Sequence, residues 1–520
     1  MSKQPNILLI TSDQQRGDCY SFAGRKVKTP HLERLKNGGT WFKTCTTPNP
    51  ICMPARSSIL TGQLPLTHGV CDNGIDLDAQ LGENGFGGTL TKAGYDSAFL
   101  GKAHFSSKRA IKPTGRPESK LSSVDYPDDW NGPYMGFEHV ELKMSGNFHR
   151  HSVRKPVLPP MGQHFERWIV SRGIGDKVYD LWADELDDGN PTPKTWHSLL
   201  PPAWHTTAWT ADRSIDWLKN RNRDKPFVMW TSFDDPHYDF DCPVPWSLLH
   251  DVDDVDISQT HERDFDQRPW WHEASLTSKP QAVDPKEAEW RTKGSRMDSL
   301  TERQLRKVTA NYYGMISFID HHVGRIISTL QDLGDIESTL IVYTSDHGEL
   351  LGDHGLYQKG PTPYEGLLNV GAIFSGPGVP KNTVIDDTVT TLDLPATFCD
   401  YAGTSLPHEA QSQSLRSILE GKPGPTRDVT YSEWYLKPYR VGIELDLRIV
   451  RTPRYKLAFD TITEAGELYD LVDDPLENEN RFDDPGIAKT RKELEGLLKD
   501  RPGPILSKEE LPEHTAPGGS

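Results

Sequence analysis

Short apolar runs alternate with polar stretches along this chain, and the first, residues 7–11, has the length of a strand buried on both faces. Asp13 follows its C-terminal end, the edge at which parallel α/β sheets bind ligands. A second run, Thr339-Leu340-Ile341-Val342-Tyr343-Thr344, ends in Ser345-Asp346-His347-Gly348, so two strands far apart in sequence each deliver a carboxylate to the same kind of position. A third candidate strand, 227–232, leads into Asp234-Asp235-Pro236-His237. From about 301 to 333, Tyr312, Ile316, Ile319, Val323, Ile326, Ile327 and Leu330 recur every three or four positions, which predicts a long helix with one face packed on the sheet.

Residues 106–202 and 240–293 are rich in Pro, Trp, His and charge and lack periodicity, which predicts lids or binding loops. After Gly403 the texture changes: 447–450, 455–459 and 467–471 read as strands and 485–499 as a charged helix. The expected division is a catalytic unit over 1–403 and a smaller α+β unit with a tail over 404–520. From Pro502 onward the tail is heavy in Pro, Glu and Gly, and is expected to be loosely ordered or to pack on another subunit.

Length and composition fit this division, because 520 residues with 35% hydrophobic content can bury more than one core. A net charge of -17 argues against nucleic acid and anionic membranes as main partners. It also means that an anionic ligand requires positive charge gathered locally. No stretch reaches the roughly 18 apolar residues of a membrane span, and no secretory apolar region precedes 7–11. The expectation is a cytoplasmic protein, and the tail suits a homo-oligomer. Six cysteines are too sparse for a disulfide framework; five read as buried thiols and Cys52 alone sits in a motif.

Asp13, Gln14, Asp346 and His347 form a candidate metal site, since two carboxylates and an amide oxygen suit a hard divalent cation. Ca2+ fits best, and the imidazole also admits Mn2+ or Zn2+. Either pair alone would be an ordinary strand-end cap. Gly101-Lys102-Ala103-His104 follows another strand end, where alternation would put Lys102 and His104 on one face to bind an oxyanion and move a proton. His31, His68 and His354 read as structural. The Arg150-His151-Ser152-Val153-Arg154-Lys155 cluster reads as a solvated loop or a second anion site, and Trp270-Trp271-His272 as a lid or as packing.

Cys52-Met53-Pro54-Ala55-Arg56, continued by Ser57-Ser58-Ile59-Leu60-Thr61-Gly62, has the C-x-P-x-R pattern read by a formylglycine-generating enzyme. With the metal-type pairs, it resembles the type I, formylglycine-dependent sulfatases of the alkaline phosphatase superfamily. The resemblance implies an α/β fold with a large, mixed but mostly parallel sheet flanked by helices, plus a small C-terminal antiparallel sheet with a helix. It also implies that Cys52 becomes 3-oxoalanine (formylglycine), completes the metal shell of Asp13, Gln14, Asp346 and His347 through an oxygen, and attacks sulfur as a hydrated diol. Arg56 would then hold the diol or the substrate anion, and Lys102 and Lys359 would stabilise the ester oxygens. His237 or Lys359 would protonate the leaving alcohol, and His104 would take a proton as sulfate is expelled.

The implied partners are a small anionic ester as substrate and the formylglycine-generating enzyme during maturation. The chain is also similar to phosphonate monoester hydrolases and phosphodiesterases of the superfamily, in which Asn73 resembles a substrate-contacting residue. Asn73 before Gly74 is equally a turn residue. Those hydrolases have hydroxyl residues where this chain has Lys102 and His104. A non-catalytic binding protein on the same fold would lack one or more of the charged site positions, and all of them are filled.

Overall fold

The computed structural model describes residues 4–144, 159, 161–173, 177–282, 285–294, 296–424 and 426–516, so the basic cluster at 150–155 lies outside the described residues. All seven residues of the strand Asn6–Ser12 are buried. It pairs in parallel with Thr339–Ser345 on one side and Phe227–Ser232 on the other. An eight-stranded sheet grows from this centre in the order Thr383–Ile385, Thr40–Phe42, Ala372–Ser375, Thr339–Ser345, Asn6–Ser12, Phe227–Ser232, Asp96–Gly101, His139–Leu142. Within it, Ala372–Ser375 runs antiparallel to both neighbours, and the other pairings are parallel.

The sheet is covered on both faces, which is why its strands read as continuous apolar runs rather than as alternating ones. Leu8, Ile10, Met229 and Ile341 face the core that holds Ile319, Val323, Ile326 and Leu330 of the helix Glu302–Asp332. Ile7, Leu9, Val228 and Trp230 face the opposite core, with Met53, Ile59 and Leu60 of the helix Cys52–Thr61. The long helix starts where the sequence places it because Thr301 and Gln304 form a reciprocal capping box.

A second sheet, Thr430–Leu436, Leu445–Arg451, Tyr455–Asp460 and Gly466–Asp470, is an antiparallel meander. Its far face packs on Leu494 of the helix Ala488–Lys499. Thr430–Leu436 escapes a hydropathy reading because it carries a buried carboxylate, Glu433, which is neutralised by Arg501 at 2.7 Å. Trp271 belongs to the core beneath this sheet and His272 meets Glu467, so these two are packing, whereas Trp270 is exposed.

The tail corrects an expectation, because up to residue 516 it packs on its own chain. Leu506 N donates to Leu66 O, Thr515 N to Gly74 O, and Thr515 Oγ1 to Asp76. Leu511 and Ala516 are buried, giving the Pro-rich stretch apolar anchors. Among the described residues, no helix is long and apolar enough to cross a membrane.

Gly101 ends its strand at φ 107°, and a Cβ there would come within 2.1 Å of the Ser232 carbonyl oxygen. Gly101→Ala combines left-handed strain with overpacking and is expected to cost about 3 kcal/mol of stability, measured as a lowered urea midpoint.

Candidate active site

Five neighbouring parallel strands end along one edge of the large sheet, and the residues just beyond them converge there: Asp13, Asp346, Lys102, Asp234 and Lys143. Opposite them, Cys52 opens the helix Cys52–Thr61, all ten residues of which are buried. Asn73 Oδ1 accepts from Met53 N at 2.9 Å and so caps the free amide end of that helix while lining the cavity in front of Cys52. Ligand atoms of Asp13, Cys52, Asp346 and His347 all lie within 4.8 Å of one another.

Arg56, one helical turn after Cys52, is fully buried and joins the two carboxylates. Its Nε donates to Asp346 at 2.8 Å, one Nη to Asp13 at 3.3 Å, and the other Nη to Lys102 O and Ser232 Oγ at 2.7 Å each. With these groups engaged, Arg56 ties the two carboxylates together and is not among the described residues that line the cavity.

Gln14 lies beside this pair in the left-handed region, at φ 70°. Its amide nitrogen is held by Glu349, and its Oε1 is buried with no partner among the described residues. An orphaned buried oxygen next to two carboxylates sharing one guanidinium is what a cation site needs, so the donor set fits a hard divalent metal. Burial and the neighbouring Cys52 oppose the ionisation of Asp13, yet the surrounding cations, Lys102 and Arg56 among them, bring its carboxyl down to about 2. Burial and the adjacent Asp13 charge push Asp346 up.

Lys359 Nζ lies 2.8 Å from Cys52 Sγ, 3.0 Å from His237 Nε2 and 3.2 Å from His347 Nε2. Burial would raise the Cys52 thiol, but Lys359, Lys102 and His347 bring it well below the ordinary range. The position of side chain 52 thus favours negative charge. Lys102 pairs with Asp13 and lies 3.6 Å from Asp234. The expected strand alternation of Lys102 and His104 does not occur. The strand stops at Gly101, and His104 reaches the cavity through a left-handed backbone at φ 59°. Burial holds its imidazole down to about 4.

The cavity in front of Cys52, about 110 Å³, is lined among the described residues by seven lysines and arginines and two carboxylates. An acidic chain thus carries a cationic site, and the two irregular segments supply much of its wall, through Lys108, Arg109, Lys143 and Arg291. Sequence reasoning missed Lys143, which pairs with Asp234, and Glu118, which receives the amides of His104, Phe105 and Ser106. The only signal for Lys143 was its place just past a short strand; Glu118 had none. His31, His68 and His354 are structural: the His31 amide binds Asp320, His68 bonds Ser58, and His354 stacks on Tyr364.

The edge-on cluster of carboxylates, cations and a helix-borne cysteine, on this sheet, defines a hydrolase of the alkaline phosphatase superfamily. Residues 5–404 match the sulfatase family, to which the chain belongs, and residues 352–502 match the N-sulphoglucosamine sulphohydrolase C-terminal family. An arylsulfatase of Clostridium perfringens is 27% identical, covering 92% of this chain and 90% of that protein. A multifunctional alkaline phosphatase superfamily protein of Trinickia caryophylli is 27% identical over 93% and 92%. A phosphonate monoester hydrolase from Silicibacter pomeroyi shares the fold with a TM-score of 0.76 at 24% identity, covering 96% and 95% of the two chains.

Burial raises the Glu118 carboxyl to about 7. Between an ordinary carboxyl value near 4.5 and this value the folded chain binds more protons than the unfolded one. The contribution of Glu118 to stability is therefore full below about pH 4.5 and is lost as pH rises through about 7. The stability difference between wild type and Glu118→Gln, read from urea midpoints, is expected to fall by about 3 kcal/mol across that window. A flat difference would show that the carboxyl is ionised throughout.

Proposed function

We propose that this protein hydrolyses sulfate monoesters to an alcohol and inorganic sulfate, using a formylglycine made from Cys52. The observation that carries this reading is the seat of Cys52, at the start of a buried helix, among Asp13, Asp346 and His347 and 2.8 Å from Lys359. A side chain there that is to react as an oxygen nucleophile needs the oxidation that the Cys52-Met53-Pro54-Ala55-Arg56 motif specifies. Asp13, Gln14, Asp346 and His347, with the oxidised residue 52, would hold a divalent cation, for which Ca2+ is the best match. When bound, it would supply positive charge that polarises the ester and favours an anionic oxygen nucleophile.

The remaining work falls to the chain's own residues. Lys102 and Lys359 meet the charge that grows on the non-bridging ester oxygens, in a site where fixed cations act strongly. Burial, with Lys359 and Lys102 nearby, keeps His237 low and therefore neutral, and its Nδ1 faces the Tyr238 carbonyl. Its Nε2 then accepts from Lys359, so Lys359 carries the proton that this pair passes to the departing alcohol. His104, also held neutral, is ready to accept a proton in the second half of the reaction.

Phosphonate monoester or phosphodiester hydrolysis is the second reading, favoured by the likeness to the Silicibacter phosphonate monoester hydrolase and to one from Agrobacterium radiobacter. Lys102 and His104, both in the cavity lining, weigh toward sulfate.

Three measurements test this. The peptide containing Cys52 is expected to be lighter by about 18 Da in active protein, and active protein with only thiol there would overturn the nucleophile. On one preparation an aryl sulfate is expected to exceed a phosphate diester and a phosphonate monoester in kcat/KM by about tenfold or more, and His104→Ala to lower kcat about a hundredfold. Preference for either phosphorus ester would overturn the sulfatase reading.

A further inference from the structure

The cavity holds more positive charge than one ester group requires. Lys102 and Lys359 lie next to Cys52, and Lys143 is paired with Asp234. That leaves a cationic wall built from segments remote from the sheet edge: Lys108 and Arg109 from the segment after His104, Arg291 from the helix Pro285–Gly294, and Arg440 from the short helix Pro438–Val441 of the C-terminal part. Arg440 is 6% exposed, and its Nε is fixed on Asp72 Oδ1 at 3.2 Å. One of its terminal nitrogens is buried with no hydrogen-bond partner among the described residues. A guanidinium anchored on one side and unsatisfied on the other is a preorganised receptor for an anionic oxygen group, because leaving a buried donor unpaired is costly.

Lys108 stands in the same wall, with Arg109 and Lys143 also in the cavity lining. Burial first, then Arg109 and Lys143, outweigh the anionic neighbours Glu166 and Asp234 and bring its ammonium down to about 7. An anion seated in this wall would relieve both the unmet donor of Arg440 and the mutual repulsion about Lys108. Neither residue is needed by the ester chemistry derived above.

We propose that the substrate is dianionic: besides the ester cleaved at residue 52, its alcohol portion carries a second anionic oxygen group, carboxylate or sulfate, held by Arg440 and Lys108. This rests on the reading of the site as a sulfate ester hydrolase and names the class of ester it takes.

The test separates binding from turnover. Full-length Cys52→Ala protein with calcium present is titrated calorimetrically with 3- and 4-carboxyphenyl sulfate, with their methyl esters, and with phenylene disulfate. At least one dianion is expected to bind about tenfold or more tightly than the corresponding monoanion. Adding Arg440→Gln or Lys108→Met should cut that ratio below about threefold. The disulfate and the carboxylates compared together tell which second group is preferred. Lys108→Met leaves the Asp72 pair intact, so it decides the matter should Arg440→Gln fail to fold. Equal binding of dianions and monoanions overturns the proposal, as does a ratio that both variants leave unchanged. Failure of the Cys52 enzyme to turn over any of these sulfates would instead overturn the sulfatase reading, and the binding ratio is read without turnover.

Discussion

The ion triad of Arg56 with Asp13 and Asp346 is the interaction on which the rest of the site depends. It joins the ends of the two central strands to the helix that presents Cys52, and its further bonds to Lys102 O and Ser232 Oγ tie in the next two strands. Five pieces of chain distant in sequence meet on one guanidinium. All three charged side chains are fully buried, so removing Arg56 would leave two carboxylates without their shared partner at a cost of roughly 3–5 kcal/mol. Two carboxylates facing one guanidinium remain short of positive charge. Lys102 and the orphaned oxygen of Gln14 show how the shortfall is arranged: a lysine on one side, and on the other a set of oxygens open to a cation.

The same reasoning explains how a chain of net charge -17 presents a cationic cavity. Global charge sets a weak, screened field, whereas cations in a buried cleft act at short range through little water. Burial tunes the bases as well. His104 and His237 are both held below the usual imidazole range by burial, which favours the neutral form of each.

What was legible in the sequence follows from how each feature is made. The central strands are buried on both faces and therefore read as unbroken apolar runs, and the helix Glu302–Asp332 announces itself by periodicity and a capping box. Asp13, Asp346, Cys52 and Arg56 were readable because they stand at strand ends or in a spaced motif. Features held by pairings between distant residues were not. Thr430–Leu436 hides behind Glu433, whose charge is acceptable only because Arg501, sixty-eight positions away, meets it. Glu118 has no motif, and only the fold shows that it binds three successive amides at His104, Phe105 and Ser106. The tail read as loose because proline-rich composition was weighed above the spaced anchors Leu506, Leu511 and Ala516.

This division between the strand ends and the outer wall has a functional consequence. Groups at the sheet edge are fixed by parallel pairing, buried ion pairs and helix capping, as a site that must hold atoms in place requires. The groups of the outer cavity wall, Lys108, Arg291 and Arg440, come from loops, a short helix and the C-terminal part, where substitution disturbs no central strand. On the proposed reading, chemistry and selectivity would then be carried by separate parts of the structure. Relatives at about 25% identity are named arylsulfatase, choline-sulfatase and N-acetylglucosamine-6-O-sulfatase, so the fold by itself leaves the ester open, and the charge of the outer wall is where this chain's own choice would be made.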